Sequence, residues 1–321
     1  MRVSIVLTTH NRPGLLAEAI GSVLAQDSRD WELIVVDDGS SPAATISGLA
    51  SSAHEGRVRM VRHLEARGPS EARNTGVKNA LGDVVTFLDD DDLLPPCAVR
   101  EIRSAMVDEI DCLFVKVGCF GSLAPGTIVN QDRALHSLLH NARGDVSAPG
   151  RVIRLDSHRL FRAMLTTLPM AFQRPSIRRE HMSVIGPYRG TSFGDLEFNF
   201  RAVLRSRTAL LNDEMYLVRC EGQSYFSRGE SAHRLQQATI SVREQLLEVP
   251  EVSRDPRLRG DVRRAISNAH FDLAWWALRN GAPLPWRNVA QSCRGGIGKR
   301  HIGLVGRAIW RAVSGHAGRA S

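Results

Sequence analysis

Up to Val117 the chain alternates short apolar runs with segments whose apolar residues recur at i, i+3 and i+4. The runs predict strands at residues 3–7, 32–36, 57–62, 83–88 and 112–117. The longer period predicts helices at 13–26, 41–52, 69–80 and 95–107. In the first helix Leu15, Leu16, Ala19, Ile20, Val23 and Leu24 share a face, and Pro13 suits the first turn. Strands apolar on both sides, alternating with helices, imply an α/β fold with a mostly parallel sheet covered by helices. Ligands in such sheets bind beyond the carboxyl ends of the strands. Three polar loops follow strand ends here, at 8–12, 37–40 and 89–92, and should converge on one edge.

Further along, 118–160 reads as loop-rich and 167–186 as mixed. A helix is expected at 195–205, with Leu196, Phe200, Val203 and Leu204 inward, and a short strand at 215–218. From Ser231 the pattern is helical. The strongest helix is 261–280, with Asp261 as N-cap and Gly281 as its stop. Ile302, Val305, Ile309, Trp310 and Val313 form a last apolar stripe, with Arg307 and Arg311 off it. The expected organisation is a catalytic domain at 1–225, made of halves 1–115 and 116–225, and a basic, mainly helical region at 226–321.

Composition narrows the setting. No apolar run approaches the ~20 residues that span a bilayer. The run at 3–7 is too short for a signal sequence and meets polar residues at once. Five cysteines, an odd number without a CxxC pair, argue against a disulfide framework or a zinc site. The expectation is a cytoplasmic protein. Net charge is +8, and arginines dominate from residue 250 onward. Charge alone would admit nucleic acid, but no basic stripe interleaved with aromatics is present. The last helix, with Lys299, Arg300, Arg307 and Arg311 beside Trp310, suits either packing within the protein or subunit pairing, or peripheral contact with an anionic membrane.

The acidic run Asp89-Asp90-Asp91-Asp92 ends the fourth strand. Four like charges in one turn repel, so either water or a cation offsets them. Mg²⁺ or Mn²⁺ uses one or two carboxylates together with substrate phosphates. The first loop has no GxGxxG, which argues against NAD or FAD, and no GxxxxGK[ST] occurs anywhere. Asp37-Asp38-Gly39-Ser40 reads as a turn or as a carboxylate that meets a base or ribose. Gly68-Pro69-Ser70 opens a helix that also carries Arg73, a place for phosphate oxygens or simply a capped helix start.

Taken together, VSIVLTTHNRP, ELIVVDDGS and GPSEARNTGVKNALGDVVTFLDDDD, in this order and spacing, resemble family 2 glycosyltransferases of the GT-A fold. The resemblance is close over 1–115 and looser to 225. It implies a Rossmann-like central sheet flanked by helices, with a C-terminal helical extension. It implies inverting transfer of a sugar from a nucleotide-diphosphate donor, with a UDP-sugar the first choice, to an acceptor hydroxyl, with Mn²⁺ or Mg²⁺ as cofactor. Thr8 and His10 match positions that contact the nucleotide, Asp38 the carboxylate that reads the base edge, and Arg73 an arginine of the same pocket. Asp91 matches the direct metal ligand of the DxD motif, and Asp89 supports the ribose or metal side. Asp90 fills a variable position, and Asp92 matches an extra aspartate usual there. Asp195 fits the general base. Gly194 departs from the usual acidic neighbour and leaves Glu197 as a competitor. An R-x-H segment is replaced by Val218-Arg219-Cys220-Glu221, which leaves a third metal ligand open, with His233 as a distant fallback.

The acceptor is not legible. Two rival readings remain: a nucleotidyltransferase, whose usual glycine-rich basic loop is missing, and a non-catalytic partner subunit that binds the nucleotide sugar. An oligomer is compatible with either.

Overall fold

The structure, a computed structural model, describes residues 1–46, 56–122, 124–142, 151–190, 193–221, 231–280, 282 and 285–313. Within these, the side chains of 124–128, 231–236 and 311–313 are not described. Two compact units are present, Met1–Arg228 and Gly229–Ser321.

The first unit is built on eight strands: β1 (Val3–Thr9), β2 (Trp31–Asp38), β3 (Val58–His63), β4 (Val84–Asp89), β5 (Cys112–Phe120), β6 (Val152–Leu155), β7 (Ser176–Arg178) and β8 (Thr208–Arg219). They form one sheet in the order β3-β2-β1-β4-β7-β5-β8-β6. The neighbours among β1 to β4 run parallel, as the apolar runs imply, and every residue of β2 is buried. The short β7 enters antiparallel between β4 and β5, and β5 runs parallel to β8. Covering helices are α1 (Pro13–Leu24), α2 (Pro69–Asn79), α3 (Ala98–Ala105), α4 (Ala124–Ala142), α5 (Ser157–Thr166), α6 (Met182–Ile185) and α7 (Gly194–Arg205). Leu16, Ala19, Ile20 and Val23 of α1 pack into the core with Ile5, Leu7, Leu33 and Val35.

Several expectations change. The helix expected at 41–52 does not form over 41–46, and 47–52 lies outside the described residues. Asp37 captures the N–H groups of Ser40 and Ala44 at 2.9 and 3.1 Å, and side-chain bonds of this kind compete with a helix ladder. The helix expected at 95–107 shrinks to α3, because the carbonyls of Pro95 and Pro96 bond to Gln26 and Asp27 instead. The stretch 118–160 is not loop-rich: it holds α4, β6 and the start of α5. Polar residues dilute its period, yet Leu135, Leu138 and Leu139 are buried, and Asp156 caps α5 through the Arg159 N–H. The short strand at 215–218 is the end of a twelve-residue strand. Asp213 and Glu214 interrupt its apolar signal, and they pair with Arg151 and Lys116.

The second unit is helical: α8 (Ser231–Leu246), α9 (Pro250–Arg254), α10 (Pro256–Arg279), α11 (Trp286–Ser292) and α12 (Lys299–Val313). Its strong helix begins earlier than expected. Asp255, not Asp261, is the N-cap, accepting from the Arg257 and Leu258 N–H groups, with Pro256 in the first turn. Gly281, the expected stop, lies outside the described residues. The helix α12 packs chiefly through residues outside the expected stripe: His301 and Leu304 are buried, Leu304 against Ala274 and Val289, and of the stripe Val305 is partly buried there while Ile302, Ile309 and Trp310 are exposed.

Candidate functional site

Parallel register brings three strand ends level. Thr9 lies opposite Asp37, and Thr8 opposite both Val36 and Asp89. The loops at 8–12, 37–40 and 89–92 therefore meet, as expected.

At the edge expected to face the nucleotide, Thr8 is half-buried, and its neighbour Thr9 donates its hydroxyl to Asp90 Oδ2 at 2.8 Å. His10 Nδ1 lies 2.7 Å from the Asp38 carbonyl. Asn11, with φ 56°, takes the left-handed conformation and ties this loop to the next through Ser40 Oγ and the Ser41 N–H. The Asp38 carboxylate accepts from the Arg67 and Gly68 N–H groups at 2.9 and 2.8 Å and meets His63 Nδ1 at 2.7 Å. Burial pushes its pKa up, but these bonds outweigh burial and hold it below the ordinary value. The two N–H groups just before α2 thus bind Asp38, which organises the 67–68 loop. Three bonds leave a carboxylate one of about four lone-pair sites for a ligand.

The four aspartates take four different environments. Asp89 is held by Arg73 at 2.8 Å and by Arg174, which donates to its Oδ2 from Nε and Nη2. Burial works against its ionisation, but the charges of Arg174 and Arg73 keep its pKa well below the ordinary range. Asp90 accepts from Thr9 and from Arg12 at 3.1 Å. Burial, reinforced by Asp91 and Asp89, pushes it up to about 6. Asp90, expected at a variable position, is thus tied to the first loop through Thr9 and Arg12. Asp92 accepts from the Tyr216 hydroxyl at 2.8 Å and from the Arg219 N–H at 3.0 Å, yet burial and its acidic neighbours push it up to about 8. Asp91 meets Arg12 at 3.3 Å, its one side-chain partner among the described residues, and burial and the charge of Asp89 raise its pKa.

Carboxylate oxygens of Asp89, Asp91 and Asp92 lie within 4.8 Å of one another. Hard oxygen donors this close, two with ionisation opposed by crowding, fit a divalent cation. Asp91 has the most lone pairs open to it. Asp92 is the third carboxylate of this cluster; the side chain of His233, the fallback expected for a third ligand, lies outside those described. Paired backbone bonds between Leu93 and Leu217 bring β8, with Tyr216 and Arg219, to this turn.

Asp195 sits in the first turn of α7. Its Oδ2 accepts from Arg174 Nη1 at 2.8 Å and its Oδ1 from the Leu196 N–H at 3.0 Å. One guanidinium therefore joins Asp195 to Asp89. Glu197, the competitor, is 2% exposed and bonded through both oxygens to Arg201, at 2.6 and 2.8 Å, as an internal ion pair. The glycine at 194 has a steric reason. A Cβ there would lie 2.2 Å from the Arg189 carbonyl and 2.3 Å from Ser70 Oγ, so no acidic side chain fits.

Sequence reasoning missed Arg12, His63, Arg174 and Tyr216. Arg12 had a signal, since it stands in a loop already expected at the site. Arg174 had none beyond Pro175, which biases it out of a helix. Its partners come from two distant segments.

Comparison with known proteins follows this geometry. The profile "Glycosyl transferase family 2" matches residues 4–122. The Escherichia coli UDP-Glc:alpha-D-GlcNAc-diphosphoundecaprenol beta-1,3-glucosyltransferase WfgD is 37% identical over 91 residues, 28% of this chain and 35% of that protein. S. aureus TarS 1–349 in complex with UDP-GlcNAc superposes with a TM-score of 0.53 at 15% identity, covering 98% of this chain and 91% of that one. The mannosyltransferase PcManGT from Pyrobaculum calidifontis, in complex with GDP-Man and Mn²⁺, gives 0.55 at 16%, covering 97% and 80%. The chain spans 13% to 38% of the length of eight curated relatives it matches. Residues 4–122, which hold β1 to β5 and the three strand-end loops, thus match the glycosyl transferase family 2 model, and the fold is the GT-A fold of these solved glycosyltransferases.

Proposed function

We propose that the chain transfers a sugar from a nucleoside-diphosphate donor to an acceptor hydroxyl, with inversion at the anomeric carbon. The observation that carries this reading is the Arg174 bridge between Asp89, on the strand that ends in the acidic turn, and Asp195, on a separate helix. It sets a carboxylate for the acceptor beside carboxylates for the donor. Thr8, His10, Asp38 and Arg73 line the nucleotide side. Asp91 and Asp89, with Asp92, are the residues that would hold Mn²⁺ or Mg²⁺. Such a cation, when bound, supplies positive charge where the departing diphosphate gains negative charge.

Asp195 takes the acceptor proton as the hydroxyl attacks, an effect worth roughly 10²–10⁴-fold. Because attack comes from the face opposite the leaving group, the base must sit on a different segment from the donor-side carboxylates. Arg174 fixes that spacing. The ligands of the solved neighbours support a nucleotide-sugar donor, and a UDP-sugar is our first choice. The lipid-linked acceptor in the name of WfgD supports a glycan or glycolipid acceptor. Five free cysteines suit a cytoplasmic setting.

The test is a screen of UDP-, GDP-, CDP- and dTDP-sugars with Mn²⁺ or Mg²⁺, read by thermal shift and nucleotide release. One donor should both stabilise the protein and be turned over. Asp195→Asn should keep the thermal shift and lose turnover, and Asp91→Asn should stay folded and lose metal-dependent turnover. Stabilisation without nucleotide release under any acceptor mixture would favour the binding-subunit reading.

A further inference from the structure

The last acidic residue of the chain is Asp272, and Leu273 to Ser321 holds seven arginines and one lysine. Within this acid-free stretch, α12 has two unlike sides. Inward, Leu304 packs on Ala274 and Val289, and His301 meets Phe271 edge to face at 5.2 Å. Outward, Ile302, Ile309 and Trp310 are 69%, 56% and 67% exposed. At 3.6 residues per turn, Ile302, Gly306 and Ile309 fall in one row with Trp310 beside it. Gly303 and Gly306 add no side chain between them. Arg300 and Arg307 border this face, their guanidinium groups over the rings of Phe271 at 4.7 Å and Trp275 at 4.8 Å. Lys299 is exposed at the start of the helix, just after exposed Ile297.

We infer that α12 is an interfacial helix that docks on an anionic lipid surface. Ile302, Ile309 and Trp310 enter the boundary between headgroups and acyl chains, and Lys299, Arg300 and Arg307 meet lipid phosphates. The charge is of one sign, as an anionic bilayer requires. Exposed apolar residues beside cationic ones match the two terms that drive such binding, and tryptophan favours the membrane–water boundary. A nucleic acid would satisfy the arginines but leave the isoleucines in water. No helix among the described residues is long and apolar enough to cross a membrane, so contact through α12 is peripheral.

The full chain should be sedimented with vesicles of phosphatidylcholine alone and of phosphatidylcholine with phosphatidylglycerol. Binding is expected on the anionic vesicles, weakening with salt. Ile302→Ser with Trp310→Ser should abolish it, and Lys299→Gln or Arg307→Gln should each lower partition about fivefold. These side chains are exposed, so an unchanged thermal transition verifies folding. Quenching by brominated lipid, present in the wild type and reduced in Trp310→Phe, gives a second readout. Neither measurement depends on turnover, so the inference stands or falls apart from the proposed reaction. Equal partition to both vesicle types, or none to either, overturns it. So does a dimer, or binding to RNA, that the serine variants abolish while the wild type ignores anionic vesicles.

Discussion

Arg174→Gln distinguishes a bridge that works from one that merely packs. In the wild type this guanidinium donates twice to Asp89 Oδ2 and once, at 2.8 Å, to Asp195 Oδ2. Glutamine keeps part of the stem and removes the charge. Asp89 then retains Arg73 at 2.8 Å, and Asp195 retains, among the described residues, the Leu196 N–H at 3.0 Å. Breaking a buried ion pair by removing one partner costs about 3–5 kcal/mol. The surviving Arg73 bond places the loss at the lower end, about 3 kcal/mol, seen as a lower urea midpoint at unchanged m-value. For turnover, an untethered Asp195 that shifts by about 1 Å lowers kcat roughly 10²-fold. Donor affinity should fall less than turnover, since Asp89 keeps its Arg73 bond while Asp195 loses its tether. Because Arg174 acts through Asp195, Arg174→Gln in an Asp195→Asn background should add no further loss. The assay is nucleotide release with and without acceptor on each corner of that cycle, beside urea titrations. Wild-type turnover in Arg174→Gln, or a double variant slower by the full product of the single losses, would refute the argument.

The acidic turn should make stability depend on pH and on added metal. Asp90 and Asp92 hold protons more tightly when folded, so stability falls as pH rises from 3.8 through about 6 and about 8. Asp90 alone corresponds to about 3 kcal/mol across its window. Thermal melts should show this decline without added metal, and Mn²⁺ should restore more stability at pH 8 than at pH 5; an equal increment at both would contradict the charge-crowding account. Gly194→Ala should lose about 1–3 kcal/mol, because its Cβ meets backbone. Gly21→Ala, in the middle of α1 with open space around it, should gain up to about 1 kcal/mol, and the two denaturation midpoints check the contrast. Glu197→Gln should destabilise by leaving Arg201 buried and underpaired while turnover per folded molecule persists; loss of transfer at full stability would make Glu197 the base.

Apolar periodicity by itself located β1 to β4, α1 and α2, and thus the edge on which Thr8, Asp38 and the aspartate run would meet. That works because a strand buried on both faces must be apolar throughout, a property visible in a few consecutive residues. Periodicity failed where burial is partial: polar residues hid α4 and most of β8, and side-chain capture of backbone groups undid the expected helix after Asp37. On α12 it marked a stripe of which Ile302, Ile309 and Trp310 are exposed, while the helix packs through Leu304 and His301 beside it.

What only the tertiary structure decided is how the charges are matched. Four adjacent aspartates look alike in sequence. Their neighbours then make them unequal: two arginines keep Asp89 ionised, Thr9 and Arg12 hold Asp90, Tyr216 and Arg219 hold Asp92, and Asp91 is left most open. Likewise, ion pairing with Arg201 sets Glu197 apart from Asp195, which Arg174 joins to Asp89. Electrostatic partners are chosen by distance in space, and the residues that set these roles come from segments that only the folded sheet brings together.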